Sequence, residues 1–457
     1  MITFACTEEQ WNELSGALRA GVETAGVILA GRAETDLGLT LLARSIRWVP
    51  DQHYIRRDLE GLSISSSGYV PALKAAAHDE SIPIFFHTHP RGFPQPSDSD
   101  DRVDEQLESL FPVRSRQKHY VSLIIAGTPE EPSFTGRVYV NSKAEAVPID
   151  RLRVVGRRWR VLLGANADTP VENDFSTFDR QVRAFGVDGQ RLLGRLRIGV
   201  VGAGGTGSAV CEQLIRLGVG SLTVIDDDVL TESNLTRVHE SRINDVGRPK
   251  VNVVSDEANR LPTRTSVTAI TGNVARESVA RELRDCDVLF GCTDDHAGRA
   301  VLSRLAYWYL SPLIDVGFVI QSTQGRVGGL FGRVTTVMPG EACLICRGRI
   351  DPSGVRNQLM NPEERQRLAA EGYAPELGAV DPSVITYTTM VATFGVNELL
   401  DRLFGYGGDD VLSELLIRVH DRRLNQNRVA GQPGHYCTDR LNWGRGDEAP
   451  LLSQMWP

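Results

Sequence analysis

His87 and His89 stand two residues apart at the end of IPIFFHTH, and a strand running through them points both imidazoles to one side. The run PRGFPQP then lets the chain turn back before Ser97 and Asp100, which brings a carboxylate as third ligand. Asp98 and Asp101 are alternatives to Asp100 that the spacing leaves open. Two imidazoles and a carboxylate on one ion leave a fourth position for water, the open arrangement of a catalytic zinc. A water held there needs a general base. Glu23, in VETAGVILAG, is the best-placed carboxylate, at the end of a helical segment and just before a strand whose glycines allow close backbone approach.

A second set lies downstream. RIGVVGAGGTGSAV reads as strand, glycine turn and helix start, with Gly202, Gly204, Gly205 and Gly207 where backbone N–H groups and the helix dipole hold phosphate. By itself this pattern fits a dehydrogenase as well as an ATP enzyme. The next strand ends in Asp226-Asp227-Asp228, where Asp226 and Asp228 occupy the place at which a carboxylate meets a ribose hydroxyl. Asn234 and Arg237 in SNLTR and Lys250 at the end of VGRPK add more phosphate-binding charge than a nicotinamide cofactor needs. Asp294, in CTDD after another apolar strand, offers a carboxylate to magnesium, and Arg180 in FDRQ adds a further arginine upstream.

Cysteine makes a third set. Cys343 and Cys346 form a C-x-x-C, half of a tetrahedral zinc site, which His435 and Cys437 in GHYC would complete; the alternative is a pair of packed thiols. Cys292 reads as packing a strand end and Cys211 as core. Residues 347–385 contain no cysteine, and the polar stretch NPEERQRLAAEGYAPELGAVDPS within them reads as a lid or crossover loop.

The elements that must position these residues fall into two groups. GVILAG, TLLARSIRWV, IPIFFHTH, HYVSLIIAG and GRVYVN are β-like, with one amphipathic stretch at Tyr69 to His78, whereas the second half runs strand, glycine turn, helix, strand. A chain of 457 residues exceeds one ordinary core. The expected organisation is an α/β domain over 1–150, a linker over 151–175 around the polar NADTPVEND, and a parallel nucleotide-binding domain over 176–457. The balance of 50 Lys+Arg against 58 Asp+Glu, with no basic block, argues against nucleic acid. Seven scattered cysteines fit a reducing compartment, and no apolar stretch reaches membrane-span length, so a cytoplasmic protein is expected.

H-x-H, seven residues, S-x-x-D, with an upstream Glu before G-x-x-x-x-G, resembles the JAMM (Mov34/MPN) metalloproteases over 1–150. That resemblance implies His87, His89 and Asp100 as zinc ligands, Glu23 as general base, and Ser97 hydrogen-bonded to the tetrahedral intermediate. The order FDRQ, GxGGTG, D-D-D, SNLTR, GRPK, CTD resembles the ThiF/MoeB/ubiquitin-activating superfamily over 176–400, which adenylates the C-terminal carboxylate of β-grasp proteins. It implies a Rossmann-like fold with Asp226 on the ribose, Asn234, Arg237 and Lys250 on the ATP phosphates, Asp294 on Mg2+, and Arg180 reaching over from a second subunit of a homodimer. Val238 after Arg237 departs from the glutamine that relatives often carry.

Together these readings give an expected function. The N-terminal domain trims or removes a ubiquitin-like protein, and the ATP domain activates its tail, in a bacterial conjugation or antiviral pathway. Sulfur-carrier activation with a sulfur donor is the rival, and a non-catalytic scaffold or an NAD enzyme are others. With no cysteine in 347–385, the reaction either stops at the acyl adenylate or uses Cys343, Cys346 or Cys437 as nucleophile.

Overall fold

The computed structural model describes residues 1–58, 61–140, 146–164, 175–359, 382–408 and 411–456. They fall into two compact units, one of Met1–Pro170 with Trp308–Leu310 and Arg440–Glu448, the other of Val171–Tyr307, Ser311–Asp439 and Ala449–Pro457.

The first unit is built on β1 (Ile2–Thr7), α1 (Glu8–Gly16), β2 (Ala25–Thr35), β3 (Gly38–Trp48), the hairpin β4 (Tyr54–Arg57) and β5 (Leu62–Ile64), α2 (Val70–His78), β6 (Ile82–Pro90) and α3 (Asp98–Ser115). It continues with β7 (His119–Gly127), β8 (Pro132–Val140), β9 (Val147–Pro148), β10 (Arg151–Val155) and β11 (Arg160–Leu163). Nine strands form one sheet in the order β11-β10-β1-β3-β2-β6-β7-β8-β9. Successive side chains on β6 face opposite ways: Phe86 joins a core with Trp11 and Leu14 of α1, whereas Phe85 joins one with Leu73 of α2 and Phe111 of α3. His87 and His89 follow Phe85 at strand period and share the α3 side.

Residues 151–163 are not linker. Their strands β10 and β11 extend this sheet, β10 pairing in parallel with β1 from Thr3↔Arg151 to Thr7↔Val155. Leu152 and Val154 are fully buried in the core, which explains why alternating RLRVV joins a sheet rather than solvent. Residues 165–174, the centre of the expected linker, lie outside the described residues. The domain expected over 176–457 also loses Arg440–Glu448 to the first unit, where Asp447 Oδ2 accepts from Glu34 N–H at 2.9 Å.

The second unit contains α4 (Asp179–Leu193), β12 (Arg197–Val201), α5 (Gly205–Leu217), β13 (Ser221–Asp226), α6 (Lys250–Arg260), β14 (Ser266–Thr271), α7 (Glu277–Ala280), β15 (Val288–Gly291) and α8 (His296–Trp308). After them come β16 (Leu313–Thr323), β17 (Arg326–Val337), α9 (Pro352–Leu359), α10 (Ile385–Phe404), β18 (Glu414–Arg418) and β19 (Arg423–Asn427). The sheet order is β14-β13-β12-β15-β16-β17-β18-β19, parallel from β14 to β16 and antiparallel beyond. The chain runs outward from β12 to β14 and returns to β15 on the other side of β12. The carboxyl ends of β12 and β15 therefore flank a topological switch point, where open α/β sheets bind ligands. Among the described residues no helix is long and apolar enough to cross a membrane.

Candidate active sites and metal centres

In the first unit β2 and β6 pair antiparallel with Ala25 opposite His87, so Glu23, two residues earlier, comes opposite His89. His87 Nε2 lies 3.0 Å from His89 Nε2 and 3.1 Å from Asp100 Oδ1, and His89 Nε2 lies 3.6 Å from Asp100 Oδ2. Ligand atoms around a tetrahedral zinc with Zn–N and Zn–O near 2.0–2.1 Å sit about 3.3 Å apart. The two imidazole nitrogens and the Asp100 carboxylate, which offers Oδ1 to one and Oδ2 to the other, lie close to that spacing. His89 Nδ1 faces the Phe93 carbonyl at 3.1 Å, a bond that puts its proton on Nδ1 and leaves Nε2 as the lone pair. Burial, then the neighbouring His87, hold the His89 imidazole below its ordinary pKa, favouring the neutral form that binds metal.

The local reason Asp100 faces the histidines is a helix cap. Ser97 is the N-cap of α3: its Oγ accepts from Asp100 N–H at 3.3 Å, and Asp100 Oδ2 accepts from Ser97 N–H at 2.7 Å and Ser97 O–H at 2.8 Å. This closed box turns Asp100 toward β6. Asp98 is exposed, and Asp101 Oδ1 accepts from Arg137 Nη1 at 2.7 Å, so neither alternative carboxylate is placed with the histidines. Burial pushes the Asp100 carboxyl upward, but hydrogen bonds and charge from His87, with those from Ser97, outweigh it and hold it below the usual carboxylate range.

Glu23 Oε1 stands 3.9 Å from His89 Nε2, near the cluster without joining it. Its backbone is pinned on both sides, Glu23 N–H donating to Asp58 O at 3.1 Å and Arg57 Nε donating to Glu23 O at 3.0 Å. Burial first, then the Asp100 and Asp58 charges, push its carboxyl up to about 7 against the pull of His87 and Arg56. A carboxyl held near neutrality beside two imidazoles and the Asp100 carboxylate is equipped to exchange a proton with water.

In the second unit the glycine turn joins β12 to α5. Gly202 has φ of 92° and a Cβ on Gly207 would fall 1.7 Å from the Gly202 carbonyl oxygen, so neither position accepts a side chain. Gly204, the N-cap of α5, faces open space, whereas Gly205, the helix's first residue, is buried. Asp226 at the end of β13 is tied to this turn: its carboxylate accepts from Ala203 N–H at 2.6 Å and from Asp228 N–H at 2.8 Å. Burial raises its pKa against the opposing charge of Lys250 and these N–H groups. Lys250, buried at the start of α6, reaches Asp228 Oδ2 at 2.6 Å.

Asn234 and Arg237 lie in the segment laid against α5. Asn234 Oδ1 accepts from Thr231 N–H at 3.2 Å, Arg237 Nη1 donates to Ser233 O at 2.8 Å, and His239 N–H donates to Ser208 Oγ at 3.0 Å. At the far side of the switch point Asp295 caps α8, accepting from Ala297 and Gly298 N–H at 3.0 and 2.9 Å, which leaves the exposed Asp294 uncommitted to the helix. Arg180 is exposed in the first turn of α4, with no hydrogen bond or ion pair to the turn among the described residues. Residues 360–381, most of the expected lid, lie outside the described residues.

Sequence reasoning missed one chain of contacts here. His239 bridges Glu212 Oε2 of α5 at 2.7 Å and Thr389 Oγ1 of α10 at 2.8 Å, while Thr388 covers Gly205. No local pattern signals it, because the partners are far apart in sequence.

Cys343, Cys346, His435 and Cys437 converge. His435 Nδ1 lies 3.4, 3.5 and 3.4 Å from the three Sγ atoms in that order, and Cys346 Sγ lies 3.7 Å from Cys437 Sγ. A tetrahedral zinc with Zn–S near 2.3 Å and Zn–N near 2.0–2.1 Å spaces sulfur from nitrogen by about 3.5 Å and sulfur from sulfur by about 3.8 Å. The four atoms stand at the spacing that a closed tetrahedral centre requires. A hydrogen bond from Cys437 draws the Cys343 thiol down to about 5 despite burial, toward the thiolate a metal takes. Cys211 is instead pushed up to about 12 by burial, and burial raises Cys292 well above the ordinary value, which makes both poor nucleophiles.

Comparison with known proteins agrees with this division. Residues 178–432 match the model of the ThiF family, and residues 15–138 match that of prokaryotic homologs of the JAB domain. The Escherichia coli molybdopterin-synthase adenylyltransferase is 30% identical over 181 residues, 39% of this chain and 70% of that protein. The SAMP-activating enzyme E1 of Haloferax volcanii is 31% identical over 161 residues, 35% of this chain and 56% of that protein. A crystal structure of E. coli MccB with ATP superposes with a TM-score of 0.46 at 16% identity, covering 59% of this chain and 76% of the other. With the ThiF match spanning more than half of its length, the chain belongs to the ThiF family, and it carries a prokaryotic JAB-type domain at its N-terminal end.

Proposed function

We propose that the chain both processes and activates a ubiquitin-like protein. The second unit adenylates a C-terminal carboxylate with ATP, and the first acts as a peptidase or isopeptidase on the same kind of tail. The observation that carries the reading is the arrangement of His87, His89 and Asp100 at zinc-ligand spacing with Glu23 beside them, in a chain that also holds an adenylation turn. Two reactions on one tail account for the fusion.

In the first unit His87, His89 and Asp100 would hold Zn2+, whose bound chemistry is polarisation of a carbonyl and of water. Glu23 takes the proton as a carboxylate and returns it to the leaving amine as an acid, which a pKa near neutrality suits. Ser97 would hydrogen-bond the oxygen that becomes negative. In the second unit attack of the carboxylate on the α-phosphate builds negative charge. Lys250, Arg237 and Asn234 are the groups to offset it, Asp226 and Asp228 to meet the ribose hydroxyls, and Asp294 to hold Mg2+. Arg180 would serve the site of a second copy, in a homodimer.

Names among the relatives favour activation of a small carrier protein, and the molybdopterin-synthase and ThiS adenylyltransferases favour sulfur-carrier activation as the second reading. A bacterial conjugation or antiviral setting, with a conjugating enzyme as acceptor, is the first reading's context. Intact mass spectrometry of a ubiquitin-like protein encoded beside this gene tests both. Tail loss that disappears in Glu23→Gln, followed by an ATP-dependent adenylate or conjugate that disappears in Asp294→Asn, supports the coupled reading. A tail thiocarboxylate formed only with a sulfur donor supports the second, and an unchanged mass across neighbouring candidates would leave a scaffold.

A further inference from the structure

Asp104 is a buried carboxylate that neither proposed reaction uses, and four donors converge on it. Its Oδ1 accepts from Tyr120 Oη at 2.7 Å, and its Oδ2 from Arg137 Nη2 at 2.6 Å, Ser122 Oγ at 2.9 Å and Tyr139 Oη at 3.1 Å. All four donors stand on β7 and β8, whereas Asp104 stands on α3, one helical turn after Asp100 and on the same face. Arg137 also takes Asp101 Oδ1 at 2.7 Å, so one guanidinium grips two successive turns of the helix. β7 in turn pairs in parallel with β6, with His87 opposite Ile124 and His89 opposite Ala126.

We propose that Asp104 is a positioning residue for the His87–His89–Asp100 centre: it locks the first turns of α3 to the strand beside the histidines and so sets where the Asp100 carboxylate stands. The inference rests on the metal reading of that centre. Only Asp100 arrives from a helix while both histidines come from the sheet, so the distance between them depends on how α3 is docked. The cap at Ser97 fixes Asp100 within the helix, and the Asp104 cluster fixes the helix on the sheet. A fully satisfied buried carboxylate holds that docking rigid, whereas a half-satisfied one lets it drift. Outer partners of metal ligands typically matter about 10- to 100-fold in metal affinity.

The test uses the full chain titrated with Co2+, reading the visible bands that depend on His89, taken as the difference from His89→Ala. Thiolate bands from the cysteine cluster serve as an internal control in the same molecule. The expected result is that Asp104→Asn weakens the His89-dependent Co2+ affinity about 10- to 100-fold and alters its band shape, with thiolate bands unchanged. Tyr139→Phe and Ser122→Ala, which each delete one donor, should weaken it by smaller factors and keep the protein folded. Asp104→Asn with wild-type affinity and spectrum overturns the inference; should that variant not fold, wild-type behaviour in both milder variants overturns it equally. Absence of any His89-dependent band in the unaltered chain removes the metal centre itself, and the inference with it.

Discussion

The ammonium of Lys250, buried at the start of α6, is paired at 2.6 Å with Asp228, a carboxylate that is itself 68% exposed. A buried cation held by an exposed anion is poised to exchange that anion for phosphate, since the carboxylate can swing into water at little cost. Lys250→Ala should therefore lower ATP–pyrophosphate exchange about 100- to 1000-fold, the loss typical of one charge-stabilising donor. Wild-type exchange in a folded Lys250→Ala chain would remove the lysine from the chemistry.

Glu23 links pH to stability in the metal-free chain. Its folded value is raised to about 7 from an unfolded value of 4.5, so the unfolded state loses its proton first and stability falls as pH rises from 4.5 to 7. Glu23→Gln, which stays neutral, should melt like the wild type near pH 4 and higher than it at pH 8, by an amount on the order of 2–3 kcal/mol. Melting curves after chelator treatment at both pH values check this, and a constant difference would show that Glu23 is not held protonated.

The histidine-bearing and cysteine-bearing clusters should fill independently. Zinc analysis of purified protein is expected to give two ions per chain, one each in His89→Ala and Cys437→Ala, and none when both are changed. Loss of the cysteine-held ion should also lower the melting temperature, because a closed site contributes to folding directly. One ion in the unaltered chain would show that a cluster is packed without metal.

Arg180 carries the test of the dimer. If it serves a second copy, Arg180→Ala and Lys250→Ala chains, each inactive, should regain roughly a quarter of wild-type exchange when mixed, since half the dimers are mixed and each has one complete site. Mixtures as inactive as their parts would place Arg180 in its own subunit's site.

Much of the candidate sites' local arrangement was legible along the chain because the groups concerned are close in sequence. His87 and His89 at strand period, the turn around Gly202 to Gly207, and Asp294 at a strand end are local patterns whose geometry follows from strand and helix periods. The run after them was less so. Ser97 and Asp100 read as following a turning loop, with Asp98 and Asp101 left as alternatives, and only the cap of α3 shows why Asp100 faces the histidines.

What only the tertiary structure decided are matters of long-range pairing. RLRVV is a plausible stretch of linker until β10 is seen paired with β1, nearly the whole first unit earlier in sequence. Cys343 and Cys346 are half a site until His435 and Cys437 are brought within 3.4 to 3.7 Å of them. Asp104 is one more acidic residue on an acidic helix until Tyr120, Ser122, Arg137 and Tyr139 close on it. Local periods determine which way a side chain leaves the backbone, and the sequence displays them directly. Which distant group meets it depends on how sheets and helices dock, and that is set by burial summed over the whole core.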